Sequence, residues 1–216
     1  MDFNTLKIKQ RKLRSEFSEG LGLRVHRALS WLEKSEHCGD DLDSQFIFLW
    51  IAFNAAYAQD CNRSIMTEGK TFSAFITKIV ELDDSNRLYE LLWNEFSSSV
   101  RVLLGNQYIY QPFWDYHNGV SDTGDWRERF SKTKIAANCA LAAKDTQAVI
   151  AIVLSRLYTL RNQLIHGGAT WQSSANRDQI RDGVTFLGKL VPIIIDIMME
   201  NPNTLWGDAH YPLIED

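Results

Sequence analysis

Residues 146–168, TQAVIAIVLSRLYTLRNQLIHGG, form the clearest helix in the chain. Asp145 or Thr146 supplies an N-cap, and Gly167-Gly168 supplies a stop. The first half, QAVIAIVL, is apolar on every face and calls for burial on all sides. At about 100° per residue, Ile150, Val153, Leu157, Leu160 and Leu164 line up as a core stripe. Asn162 and His166, four residues apart, share a face about 150° away from it on an ideal helix, continued by Ser155 and Thr159. Arg161 sits at the border of the stripe. The helix therefore turns polar only in its last two turns, where a guanidinium, a carboxamide and an imidazole meet a glycine end.

Outward from this helix the same periodicity recurs. Leu21 to Glu36 carries Leu21, Val25, Ala28, Leu29 and Leu32 at spacings of three and four, and reads as the first core helix. Gln45 to about Ala58 (QFIFLWIAFNAAYA), capped by Asp43 or Ser44, is apolar almost all round and belongs at the centre. Shorter helices are expected over Phe72–Leu82 and, capped by Ser85, over Asn86 to Leu104. Residues 106–128 crowd six aromatic side chains around a proline and two glycines and read as an irregular folded insertion. Helices follow from about Arg129 to Ala143 and from Asn176 to Glu200, the last to be kinked or shortened by Pro192. No repeat or low-complexity tract interrupts the pattern. The expected fold is all-α: one domain over 1–216, with a core at 21–60 and 145–200, an insertion over 62–144 and an acidic tail over 201–216.

Composition agrees. Four prolines and twelve glycines in 216 residues are too few turns for a sandwich or barrel of short strands. The net charge of −4 argues against a protein that coats nucleic acid by bulk electrostatics. Its distribution is uneven. Residues 1–29 hold seven cations against three anions, a basic arm suited either to RNA backbone or to a solvated helix face. From Leu190 onward there are five anions and no Lys or Arg. Cys38, Cys61 and Cys139 are odd in number and widely spaced, which fits reduced thiols rather than a disulfide framework. The longest apolar run is the eight residues Phe46–Phe53, and roughly 18 are needed to span a bilayer. A cytoplasmic location without membrane contact is the expectation, and the sequon Asn62-Arg63-Ser64 is read as chance.

Several chemistries lack their residues. No Gly-rich loop ends in Lys-Ser/Thr, and Gly20-x-Gly22 has Val25 where a dinucleotide fingerprint needs glycine. The five histidines never fall at i, i+4, so neither a metal site nor a cofactor is expected. There is no Gly-x-Ser-x-Gly elbow. What remains is Arg161, Asn162 and His166. Arg161 and His166 stand about 140° and about 7.5 Å of rise apart on a straight helix. They converge if the last turn unwinds, if the long Arg side chain reaches round, or if a second copy of the helix supplies one of them. The alternative is structural: Arg161 bonds a carboxylate, and His166 is a C-terminal residue favoured by the helix dipole.

Arg161-Asn162-x-x-x-His166 at the end of an apolar helix resembles the signature of the HEPN domains (higher eukaryote and prokaryote nucleotide-binding). Arg27-Ala28-Leu29-Ser30-Trp31-Leu32 and Phe48-Leu49-Trp50-Ile51-Ala52-Phe53-Asn54-Ala55-Ala56-Tyr57 are similar to that family's first two helices. The resemblance implies a HEPN-like bundle and a metal-independent endoribonuclease of a bacterial defence or toxin–antitoxin system. It also implies a homodimer that cleaves RNA in a shared cleft, restrained by an antitoxin or nucleotidyltransferase-type partner. In that reading His166 transfers the proton of the ribose 2′-hydroxyl. Arg161 stabilises the phosphorane, and Asn162 fixes the imidazole tautomer or holds a phosphate oxygen. Asn54, which shares a face with Trp50 and Tyr57, is a candidate to support the site, and the 106–128 aromatics to stack bases or to pack the insertion. A non-catalytic HEPN module that binds RNA, a nucleotide or a protein, and a helical scaffold with an incidental motif, are the competing classes.

Overall fold

Asp2, Ser18 and Asp41 each accept a backbone N–H three residues ahead, from Thr5 at 2.9 Å, Leu21 at 3.3 Å and Ser44 at 3.1 Å. These caps start α1 (Phe3–Leu13), α2 (Glu19–Glu36) and α3 (Leu42–Tyr57). The cap of α3 is thus Asp41, upstream of both expected candidates, and Asp43 is buried within the first turn. The basic arm is itself a helix, α1. The computed structural model describes residues 1–57, 68–120, 124–207 and 209. Among these every regular element is helical, and the fold is all-α. Cys61 and the sequon Asn62-Arg63-Ser64 lie outside the described residues, as do Asp208, Glu215 and Asp216 of the acidic tail. Cys38 and Cys139 are free thiols.

The chain divides into two units, Met1–Arg87 with Val184–Asp216, and Leu88–Gly183. In the first, α2 and α3 form the principal pair and α1 packs on α2. Phe53 is fully buried, with ring centroids of Trp50 and Tyr57 at 5.6 and 5.0 Å. From α4 (Glu68–Glu81), Phe75 adds its ring at 6.5 Å. α10 (Arg177–Glu200) begins in the second unit and enters the first at Val184; it runs through Pro192 to Glu200, so the proline does not shorten it.

The acidic end of α10 is paired with the basic arm. Lys9 Nζ lies 2.7 Å from both Asp196 and Glu200. Arg87 bridges Asp83 at 3.2 Å, Asp196 at 2.5 Å and Glu200 at 2.7 Å. Burial alone would raise the Glu200 carboxyl, but hydrogen bonds from Lys9 and Arg87, and then their charges, outweigh it and hold the group below the usual glutamate range. Burial is likewise outweighed at Lys9 by hydrogen bonds to Asp196 and Glu200, and at Arg87 by those to Asp83, Glu200 and Asp196, and both cations are held above their ordinary values. A carboxyl with a depressed folded pKa contributes stability above its unfolded value and loses it as the pH falls through the folded one. Glu200→Gln is therefore expected to unfold more easily than wild type at pH 7 by a few tenths to about 1 kcal/mol, because Glu200 is 43% exposed and screened. The two urea curves converge as the pH falls below 4.5, the ordinary glutamate value. A gap that persists unchanged in acid would assign the effect to shape rather than charge.

The second unit contains α5 (Arg87–Glu90, its first residue in the other unit), α6 (Ser97–Gly105), α7 (Gln111–His117), α8 (Trp126–Ala142) and α9 (Thr146–Ile165). Two expectations need correction. The helix expected over Asn86–Leu104 is broken, because Asn86 takes a left-handed φ of 55° and residues 91–95 form a π-type turn. In that turn the Phe96 N–H reaches back five residues to Leu91 O at 3.1 Å. Leu88, Leu91, Leu92, Phe96 and Val100 stay buried through it, so their spacing carries no trace of the break. Residues 106–128 are more regular than expected, with a 3-10 turn at Gln107–Ile109 followed by α7. Pro112 occupies the first turn of α7, where a missing N–H costs nothing. Residues 121–123 lie outside the described ones.

Candidate functional site

The site is built on α9. Asp145 accepts the Ala148 N–H at 2.9 Å and starts the helix, which packs against α6, α8 and the 107–109 turn. Val149, Ile150, Val153, Leu154, Leu157 and Leu160 are buried. Among the described residues α9 is the one helix whose length and composition suit a membrane span, yet two arginines interrupt it and its apolar face is buried inside the protein.

Arg156, which the periodicity did not single out, is 3% exposed. Its guanidinium carbon lies 4.3 Å from the Tyr110 ring centroid and 5.3 Å from that of Phe130. It faces no carboxylate among the described residues, and burial lowers its pKa to about 10, so it remains a cation at neutral pH. Cation–π attraction, worth about 2 kcal/mol or more once desolvated, fastens the aromatic segment to the helix. Phe113 anchors the rest of that segment, with Trp126 at 5.0 Å and Trp114 at 5.1 Å. Packing is thus the main use of these aromatics.

The end of α9 is a Schellman cap. Gly168 N–H bonds Gln163 O at 2.7 Å and Gly167 N–H bonds Leu164 O at 3.3 Å. Gly167 has φ +71°, the left-handed region that favours glycine, and a Cβ on Gly168 would make a tight 3.0 Å approach to Gln163 O. Gly167→Ala should cost about 1–2 kcal/mol in urea unfolding, with Gly167→Asn costing less; equal stability of all three proteins would remove the cap from the account.

The three candidates sit around this cap. The His166 N–H still bonds Asn162 O at 3.0 Å, so the last turn stays wound. Arg161 Nη1 donates to Asn162 Oδ1 at 2.9 Å, and Asn162 stands four residues before His166. Arg161 and Asn162 are half-buried and His166 is exposed. Arg161 pairs with no carboxylate among the described residues, and its buried Nε has no partner. The His166 imidazole faces solvent without a hydrogen bond to any described residue. Ser155 continues the exposed face as expected, whereas Thr159 is buried and donates to Ser155 O at 3.4 Å. Asn54 lies half-buried on α3, in the other unit.

Gln163 and Arg156 are the residues that sequence reasoning missed. Position on the helix hides them, but a charge signal was available: from Thr146 to Arg177 there is no Asp or Glu, while Arg156, Arg161 and Arg177 are all present. The unit Leu88–Gly183 holds ten Lys and Arg against nine Asp and Glu, so the chain's negative charge belongs to the other unit. No three His, Cys, Asp or Glu side chains come together as a metal cluster among the described residues. Compared with known proteins, the chain matches no family model, no curated protein and no solved structure.

Proposed function

We propose that this chain is a metal-independent endoribonuclease of the HEPN kind, cleaving RNA in a cleft between two copies, in a bacterial defence or toxin–antitoxin setting. The observation that carries the reading is the pairing of Arg161 with the neutral Asn162 carboxamide instead of a carboxylate. Unlike Arg156, which is buried between the Tyr110 and Phe130 rings, Arg161 is only half-buried, with its guanidinium carbon 6.0 Å from the Tyr158 ring centroid, on a helix without carboxylates that ends at the exposed His166.

The chemistry follows from the groups present. His166 takes the proton of a ribose 2′-hydroxyl, and the 2′-oxygen attacks the adjacent phosphorus. Arg161 stabilises the dianionic phosphorane, and Asn162, already bonded to it, orients the guanidinium. The P–O5′ bond breaks, the leaving oxygen gains a proton, and a 2′,3′-cyclic phosphate and a 5′-hydroxyl result. One motif provides one imidazole, whereas base and acid are both needed, so the second comes from a symmetric partner copy.

The test is incubation of purified protein with single-stranded and transfer RNA in EDTA. Cleavage with 2′,3′-cyclic phosphate ends is expected; RNA that is bound and left intact would instead support a non-catalytic binding module.

A further inference from the structure

Arg156 carries an unmet pair of donors. It is 3% exposed and stays charged at neutral pH, yet its Nε and Nη2, both buried, find no acceptor among the described residues. These two nitrogens form one edge of the guanidinium. Their N–H bonds run side by side, the fork that takes both oxygens of one oxyanion. The Tyr110 and Phe130 rings attract the charge, but rings are weak acceptors for directed N–H bonds. Buried donors left in this way are costly, and an apolar side chain of similar size would fill the place without that cost.

The surroundings are positive. No Asp or Glu lies on α9, and no carboxylate among the described residues faces the guanidinium. On α8, Lys134 Nζ stands 5.8 Å from the Phe130 centroid, exposed and without an ion pair to a described residue. Phe130 therefore has a cation within 6 Å twice, Arg156 being the other at 5.3 Å.

The cover over Arg156 is unevenly fastened. Gln163, seven residues further along α9 and so on the same face, holds the aromatic segment by its backbone: Nε2 donates to Tyr108 O at 2.6 Å, while Oε1 accepts Asn176 Nδ2 at 2.8 Å. The Tyr110 ring is held more loosely. Its hydroxyl has Thr133 Oγ1 as partner at 3.5 Å, the long limit of a hydrogen bond. Tyr110 and Phe130 are both half-buried and reach the surface.

The geometry points to a carboxylate-binding site at Arg156, in which the Nε and Nη2 edge takes both oxygens of a small monovalent organic acid. The Tyr110 ring turns aside to admit it, and the apolar body of the acid lies against the two rings. One charge meets one charge. Among the described residues of the unit Leu88–Gly183, Arg156 is the one buried cation, so a phosphate dianion would bring a second charge that no buried group balances. The site stands apart from the ribonuclease reading and does not need it.

Sodium benzoate is the probe, added to the full-length ¹⁵N-labelled chain with sodium chloride adjusted to constant ionic strength. The Arg156 Nε–H cross-peak is expected to move along a saturating curve, half-complete at about 1 mM, the affinity that two charge-assisted hydrogen bonds supply. Arg156→Lys keeps a charge and loses the paired edge. It is expected to bind benzoate about 10- to 150-fold more weakly, the factor for one such bond, as read from the backbone amides of residues 107–110 in both proteins. Inorganic phosphate at the same concentration leaves the Arg156 peak in place.

A peak that ignores benzoate throughout the titration overturns the site and leaves Arg156 as a packing cation. So does a shift that chloride alone reproduces, or equal affinity in Arg156→Lys. A response to phosphate stronger than that to benzoate overturns the carboxylate assignment. Arg156 Nε–H is assigned through its own side-chain couplings, so the wild-type titration decides the matter even if Arg156→Lys fails to fold.

Discussion

Under the ribonuclease reading, His166→Ala is expected to lower the rate of RNA cleavage by about 10²- to 10⁴-fold, the range for removing a general acid or base, and to leave the unfolding transition where it was. The two halves of this result have separate causes. His166 is exposed at the helix end and bonds no described residue through its ring, so truncation opens no cavity and orphans no partner. Its backbone N–H, which bonds Asn162 O at 3.0 Å, is kept by alanine. The left-handed position belongs to Gly167, so the cap also survives. Nothing structural is lost, and any loss of rate is chemical. Single-turnover cleavage in EDTA, beside urea unfolding of both proteins, reads the two quantities. Equal rates would end the nuclease assignment, while a fall of 2 kcal/mol or more in stability would return His166 to the role of a helix-end residue, since exposed truncations stay within about 0.5 kcal/mol.

Arg161→Ala is expected to slow cleavage by about 10²- to 10³-fold, the effect of removing one preorganised donor from a developing oxyanion. Arg161→Lys recovers little of it. A lysine keeps the charge, but it is a single point donor and cannot hold both Asn162 Oδ1 and a phosphate oxygen as the planar guanidinium does. The stability cost should stay below about 1.5 kcal/mol, the upper end for one net hydrogen bond, because no ion pair to a described residue is broken and the buried Nε had no partner to orphan. Full activity in Arg161→Lys would assign the residue a diffuse electrostatic role. A large stability loss with cleavage intact would make it a packing residue.

How far the sequence carried can be judged at particular residues. α9 was legible from end to end, because Asp145, the apolar run and Gly167-Gly168 are local signals and each acts through neighbours within four residues. α2 was legible for the same reason. The break at residues 91–95 was not, since a five-residue reach leaves the apolar spacing unchanged. α1 was read only as a basic arm. Its ion pairs, Lys9 to Asp196 and Glu200, join residues 187 and 191 positions apart.

The candidate site divides along the same line. Arg161, Asn162 and His166 could be named from their spacing in a single helix. That Arg161 turns to a carboxamide instead of an acid could not, because the sequence gives no account of which carboxylates come within reach.

By itself, then, the amino-acid sequence determined an all-helical chain, the ends of its main helices, and a polar helix terminus carrying three reactive side chains. Periodicity and capping are interactions between residues a few positions apart, and they are written directly in the order of side chains. Only the tertiary structure decided that Arg156 is clasped by Tyr110 and Phe130, and that Gln163 ties Tyr108 and the 168–176 loop to one point. It also decided that the acidic end of α10 is neutralised by α1 and Arg87. Each of these joins distant residues through directional contacts a few ångströms long, and such contacts exist only once packing has fixed where the helices lie.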